Sequence, residues 1–166
     1  MQETYKTRGQ ARRETDAMTD PSVTTDAPAA VRFDTKVVVV LRAGLLPWQE
    51  LNVTAFLMSG ISTSAPGLTG EPYRDADDTE YLPMLRQPVV VMTADAATLA
   101  AARAKAIARE IPAAIYTEEL FATGHDAANR AAVATVPAAD LNLVGIALRG
   151  PRNVVDRIVK GARMHD

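Results

Sequence analysis

The stretch Thr123-Gly124-His125-Asp126-Ala127-Ala128-Asn129-Arg130 brings a hydroxyl, an imidazole, a carboxylate, an amide and a guanidinium together within a few positions. A histidine beside a carboxylate is the usual general acid/base pair. Asn129 and Arg130 fall three to five positions after His125 and Asp126, so on a helix these polar groups share one face of the first turns. Read as a site, His125 is a general base, Asp126 or Glu118 the acid that orients it, and Asn129 or Arg130 the group that stabilises developing negative charge. Read as structure, Thr123 with Asp126 three residues on fits the Ser/Thr-x-x-acid capping pattern. Thr123 then satisfies the free N–H groups, Asp126 favours the positive helix end and His125 is incidental. Both readings remain open on the residues alone.

A second set of candidates lies near the front of the chain. Arg42 ends an apolar run, and Trp48, the sole tryptophan, follows where open α/β sheets keep a ligand crevice at their carboxyl strand ends. Asn52 and Thr54 are polar positions on an otherwise apolar helix, and line a cleft or bond a neighbouring loop. Other clusters read as plain surface. Glu71, Asp75, Asp77, Asp78 and Glu80 lack the glycine-centred spacing of a calcium loop. Arg149 and Arg152 flank a helix start that would suit an anion, and His165 stands in a terminal segment beside Arg163. No metal site and no cofactor are expected.

These residues need elements to position them. Residues 1–33 carry Gln, Thr, Asp, Pro, Ala and scattered charge with few large apolar side chains, which predicts a flexible tail. From 34 the texture is that of one domain running to 166. KVVVVL is the continuous β-branched run of a strand covered on both faces. Residues 47–61 form a helix with Pro47 at its first position, apolar nearly all round and therefore buried. Residues 62–87 are a Gly/Pro-rich loop enclosing a small hairpin near Tyr73 and Tyr81. QPVVVM (87–92) is a second strand, Asp95 opens an alanine-rich helix to about Glu110, and IPAAIYT supplies a third strand near 113–117. TGHDAANRAAVAT is the next helix, LNLVGIALRG (141–150) the fourth strand. The last helix starts at Pro151 and buries Val154, Val155, Ile158 and Val159. Strands separated by long helices predict an α/β fold with helices on both faces of a four-stranded sheet.

Composition excludes several classes. Lys plus Arg (18) and Asp plus Glu (20) nearly cancel, leaving a formal charge of -2, so a nucleic-acid partner is not expected. The sequence has no cysteine, which rules out disulfides, a thiolate nucleophile and Cys-ligated metal. No apolar run approaches the ~18 residues of a membrane span. The first residues mix charges of both signs without an apolar segment, unlike a secretory signal, and a cytoplasmic location is expected.

The order KVVVVLRAGL, QPVVV and LVGIALRGPRNVVDRIVKG resembles the peptidyl-tRNA hydrolase II fold. WQELNVTAFLMSGI, GEPYRDADDTEYLPM, GHDAANRAA and KGARMH resemble an uncharacterised bacterial family assigned that fold. The resemblance covers roughly residues 33–166 and implies a three-layer α/β/α sandwich around a small mixed sheet, and a homodimer. It implies no proven activity. The enzymes' motif is a Gly-Lys pair opening the first helix, a Gln four residues on and a His three beyond. Those positions fall at Asn52, Phe56 and Ser59, and none matches. The enzymes' acid after the third strand has a counterpart in Glu118 or Glu119, and their nearby threonine in Thr123. An amide and a phenyl ring cannot do the work of an ammonium and a carboxamide. The resemblance therefore implies a retained cleft that binds a small ligand or partner without the hydrolase chemistry, with Ser59, Asn52, Thr123, Asn129 and Arg130 among its lining. The alternatives are a divergent hydrolase built on His125, or a dimeric interaction module with no ligand.

Overall fold

The computed structural model describes residues 31–166, in which Arg32–Asp166 is one compact unit. All but the last three residues of the expected tail lie outside the described residues. The centre of the unit is β1 (Thr35–Arg42), whose Val37, Val38, Val39 and Val40 are all sealed from solvent. A strand with helices on both faces has no polar side, which is why the valines run without alternation.

Antiparallel β6 (Leu143–Pro151) flanks β1 on one side and parallel β4 (Val89–Ala94) on the other. Beyond them lie β5 (Ala113–Thr117), antiparallel to β6, and β7 (Arg163–Met164), antiparallel to β4. The mixed sheet thus has five strands in the order β5-β6-β1-β4-β7, not the four expected. The extra strand is two exposed residues, too short to show a period; its pairing of Met164 with Met92 and Arg163 with Thr93 defines it. The hairpin near Tyr73 and Tyr81 is present as β2 (Tyr73–Arg74) and β3 (Glu80–Tyr81).

The helix α1 (Pro47–Ser62) opens with Pro47 at its first position, and the Gln49 side chain turns back to accept from the Leu46 N–H at 2.9 Å. It lies over the Val37, Val39 and Leu41 face of the sheet through Val53, Leu57 and Ile61, spaced four apart along one stripe. The expectation of burial all round is wrong. Leu51 is 74% exposed and Trp48 and Phe56 are more than half exposed, because the sheet covers one side only. Gly145 permits the close approach: a Cβ there would stand 2.5 Å from Val53 Cγ1 and 3.0 Å from Leu57 Cδ1.

The opposite face, with Val38, Val40, Ile146 and Leu148, is covered by α2 (Ala96–Ala108) through Leu99, Ala102 and Ala106 and by α4 (Arg152–Ile158) through Val155 and Ile158. Asp95 caps α2 by accepting the Thr98 N–H at 2.7 Å. The last helix begins one residue later than expected, since Pro151 still pairs with Thr35 in the sheet, and Val154 is half-buried rather than buried. Arg149 sits opposite Val37, so it points to the α1 face while α4 packs on the other. The two guanidinium groups of Arg149 and Arg152 are thereby kept from sharing one helix end.

Candidate functional site

At the carboxyl end of β5 the chain makes a 3-10 turn (Glu118–Ala122), passes through Thr123 and Gly124, and enters α3 (Asp126–Ala134). This corner faces the first three turns of α1 across a cleft of about 530 Å³. Trp48, Asn52, Phe56 and Ser59 recur at intervals of four, four and three, and so form one stripe of α1 along the cleft. The other wall is Leu120, Phe121, Thr123, Gly124, His125, Asp126 and Asn129, and Tyr116 of β5 forms the floor.

The sequence holds one Trp, four Tyr and three Phe; the Trp, two of the Phe and one Tyr meet here. Trp48 stands edge-on to Phe121 with ring centroids 5.5 Å apart, Phe121 to Tyr116 at 5.2 Å, and Tyr116 edge-on to Phe56 at 5.8 Å. Such pairs contribute about 0.5–1.5 kcal/mol beyond their buried area, so they hold the wall as a unit. The Tyr116 hydroxyl donates to Asn52 Oδ1 at 3.1 Å. Its burial pushes the phenol pKa above the ordinary 10.0, keeping it a neutral donor.

The cap of α3 is not the expected one. His125, with extended backbone, is the capping residue: its Nδ1 accepts the Ala128 N–H at 3.3 Å. Thr123 instead ends the 3-10 turn, with its hydroxyl 2.8 Å from the Leu120 carbonyl and against the Asn129 side-chain carbonyl. Gly124 separates the two, so the helix starts two residues later than the Ser/Thr-x-x-acid pattern places it. The cap fixes the imidazole chemically. With Nδ1 used as an acceptor, the proton of the neutral ring resides on Nε2. His125 is therefore exposed with a free donor rather than a free base.

The carboxylates near it are committed elsewhere. Asp126 pairs with Arg130 one turn on, and Glu118 pairs with Arg42, whose Nη1 also reaches Asn142 Oδ1 at 2.8 Å. No hydrogen bond joins His125 to either acid among the described residues. Of the sequence candidates, the cleft gathers Trp48, Asn52, Ser59, Thr123, His125, Asp126 and Asn129. Arg42, Thr54, Glu118 and Arg130 are outside its lining, and Thr54 is half-buried with no side-chain partner among the described residues. Sequence reasoning missed Tyr116 and Phe121. Their signal was an aromatic at the penultimate position of a strand and another four residues after its end, facing a helix that carries Trp48 and Phe56.

Away from the cleft, His165 bridges two elements: Nδ1 lies 3.0 Å from the Thr93 hydroxyl and Nε2 3.5 Å from a Glu50 oxygen. Its backbone N–H also bonds Val91 O, so this contact fastens the chain terminus to β4 and α1. Among the described residues no group of three or more His, Asp or Glu side chains is placed to hold a metal ion. No described helix is long and apolar enough to cross a membrane.

An α/β unit with this mixed sheet and this cleft matches a known family over most of its length: the chain belongs to the family described as protein of unknown function (DUF2000), whose model matches residues 35–166. A solved structure of a protein of unknown function, Atu0240 from Agrobacterium tumefaciens str. C58, is similar to it. The two are 47% identical, the alignment covers 81% of this chain and 100% of that one, and the TM-score is 0.79. No curated protein matches the chain.

Proposed function

We propose that this chain is a binding protein that takes a small ligand in the cleft between α1 and the β5–α3 corner, on a peptidyl-tRNA hydrolase II-like α/β/α sandwich stripped of the hydrolase motif. One observation carries the reading: an aromatic wall and a polar rim converge on a single cleft of about 530 Å³, a size and make-up typical of small-molecule sites. The positions that correspond to the enzymes' motif, Asn52, Phe56 and Ser59, all line it, and they present an amide, a phenyl ring and a hydroxyl. A thermal-shift screen of metabolites tests the reading, because a ligand that binds the native state raises its apparent stability. A screen without any stabilising compound would count heavily against it.

The divergent-hydrolase reading gains no support from the geometry, since the imidazole lacks a carboxylate partner and offers Nε2–H rather than a lone pair. Activity on peptidyl-tRNA is expected to be absent or very weak, and robust turnover by purified protein would overturn that. The reading extends to a cytoplasmic homodimer, supported by the cysteine-free sequence and by Leu46 and Leu51, exposed on α1 and its cap beside the cleft. A light-scattering mass of one chain at micromolar concentration would sink the dimer.

A further inference from the structure

We infer that the ligand is an uncharged planar ring system bearing hydrogen-bond acceptors on its edge; this rests on the cleft being a ligand site, as proposed above. The wall sets the shape. Four aromatic rings in edge-on and tilted contact, Trp48 and Phe56 on α1, Tyr116 in the floor and Phe121 opposite, form a continuous apolar lining that joins the two walls. A flat π-system gains stacking and edge contacts there that a saturated ring of the same size does not.

Charge is set by what lines the cleft. Among the described residues no Lys or Arg does, so an anion would give up hydration there without meeting one of their cations. Among the described residues Asp126 is the one charged carboxylate in the lining, and Arg130 already pairs with it at the exposed rim, so a cation gains little there. Neutral ligands are left.

The hydrogen-bonding character of the ligand follows from which rim atoms are already used. Asn52 Oδ1 accepts from Tyr116, leaving its Nδ2 hydrogens without a partner among the described residues. Asn129 Oδ1 faces Thr123, leaving its Nδ2 hydrogens in the same position. His125 Nδ1 is taken by the Ala128 N–H, which leaves Nε2 without a partner among the described residues. The Ser59 hydroxyl donates back to the Phe56 carbonyl at 2.7 Å and the single Thr123 hydroxyl proton goes to Asn129 Oδ1, which uses both protons within the wall. The rim thus offers three neutral N–H donor groups, and their complement is a carbonyl or ring nitrogen.

The test uses the full chain and four matched probes: quinoline-3-carboxamide, quinoline-3-carboxylate, 3-(aminomethyl)quinoline in its cationic form, and cyclohexanecarboxamide. Binding is followed by the indole N–H resonance of Trp48, which is unique because the sequence has one tryptophan. The expected result is saturable displacement of that resonance by the quinoline amide, with the carboxylate, the cation and the saturated amide each at least ten-fold weaker. His125→Asn keeps a capping side chain but loses the long reach of Nε2–H, and it should weaken the quinoline amide about five-fold; Phe56→Leu, at a half-exposed position, should weaken it similarly. If the anion, the cation or the saturated amide displaces Trp48 as strongly as the quinoline amide, the ligand class is wrong and the cleft stands. If none of the four does, the ligand class and the cleft reading fall together.

Discussion

Replacing His125 by alanine removes the one side chain among the described residues that holds an N–H at the start of α3. The bond it removes is long, 3.3 Å, and exposed, so its loss belongs at the lower end of the capping range, about 0.5–1 kcal/mol. Asp126 keeps part of the helix end favourable by its charge. For a unit the size of Arg32–Asp166 that cost corresponds to a fall in melting temperature of roughly 2–4 °C. His125→Asn supplies another capping oxygen and should melt within about 1 °C of the native chain. Differential scanning calorimetry of the three proteins decides the matter. If alanine and asparagine lower the melting temperature equally, the loss comes from the ring's contacts and the capping assignment is wrong; if neither moves it, the bond contributes nothing.

Three further outcomes are expected. Gly145→Ala should cost about 1–3 kcal/mol in urea denaturation, because its Cβ would press on Val53 and Leu57 and lift α1 from the sheet. Tyr116→Phe should cost about 0.5–1.5 kcal/mol through the lost bond to Asn52; ultraviolet titration of the native chain should show a phenol ionising above 10.0 that this variant lacks. Asp95→Ala should lower the melting temperature at neutral pH. Bonds from the Thr98 hydroxyl and N–H hold the Asp95 carboxyl below its ordinary 3.8. A depressed carboxyl stabilises the fold above its unfolded value and loses that contribution as pH falls through the folded one, so the gap between the two proteins should close below about pH 4, as melting curves across pH will show.

The layout of the fold was legible because burial leaves a mark on composition. KVVVVL read as a strand covered on both faces and is one; QPVVV read as a second buried strand and is a strand with half-buried valines, and the alanine-rich run after Asp95 is a helix. What stayed hidden depends on partners distant in the chain. The pairing of Arg163 and Met164 exists because β4 presents an open edge, which no local pattern records. Leu51 and Phe56 read as buried because a sequence shows how apolar a helix is, not how much of it a sheet can cover. In the site, Thr123 matched a capping pattern and His125 took the role, since Gly124 and the 3-10 turn shift the helix start by two residues. The stripe of Trp48, Asn52, Phe56 and Ser59 was present at helical spacing, but its meeting with Tyr116 and Phe121 is set by the sheet order.

That sheet order also dictates a timetable. In the central pairing Val37 lies against Arg149 and Leu41 against Gly145, so the central strand of the sheet is held by residues made more than a hundred positions later. A chain leaving the ribosome carries its four-valine run without β6 until residues 143–151 are made, with β4, α1 and α2 as its earlier partners. Contacts this distant in sequence make folding slow and leave sticky edges open to neighbouring chains. The molecule's yield in a cell should therefore depend on what guards β1 until β6 arrives as well as on its finished stability.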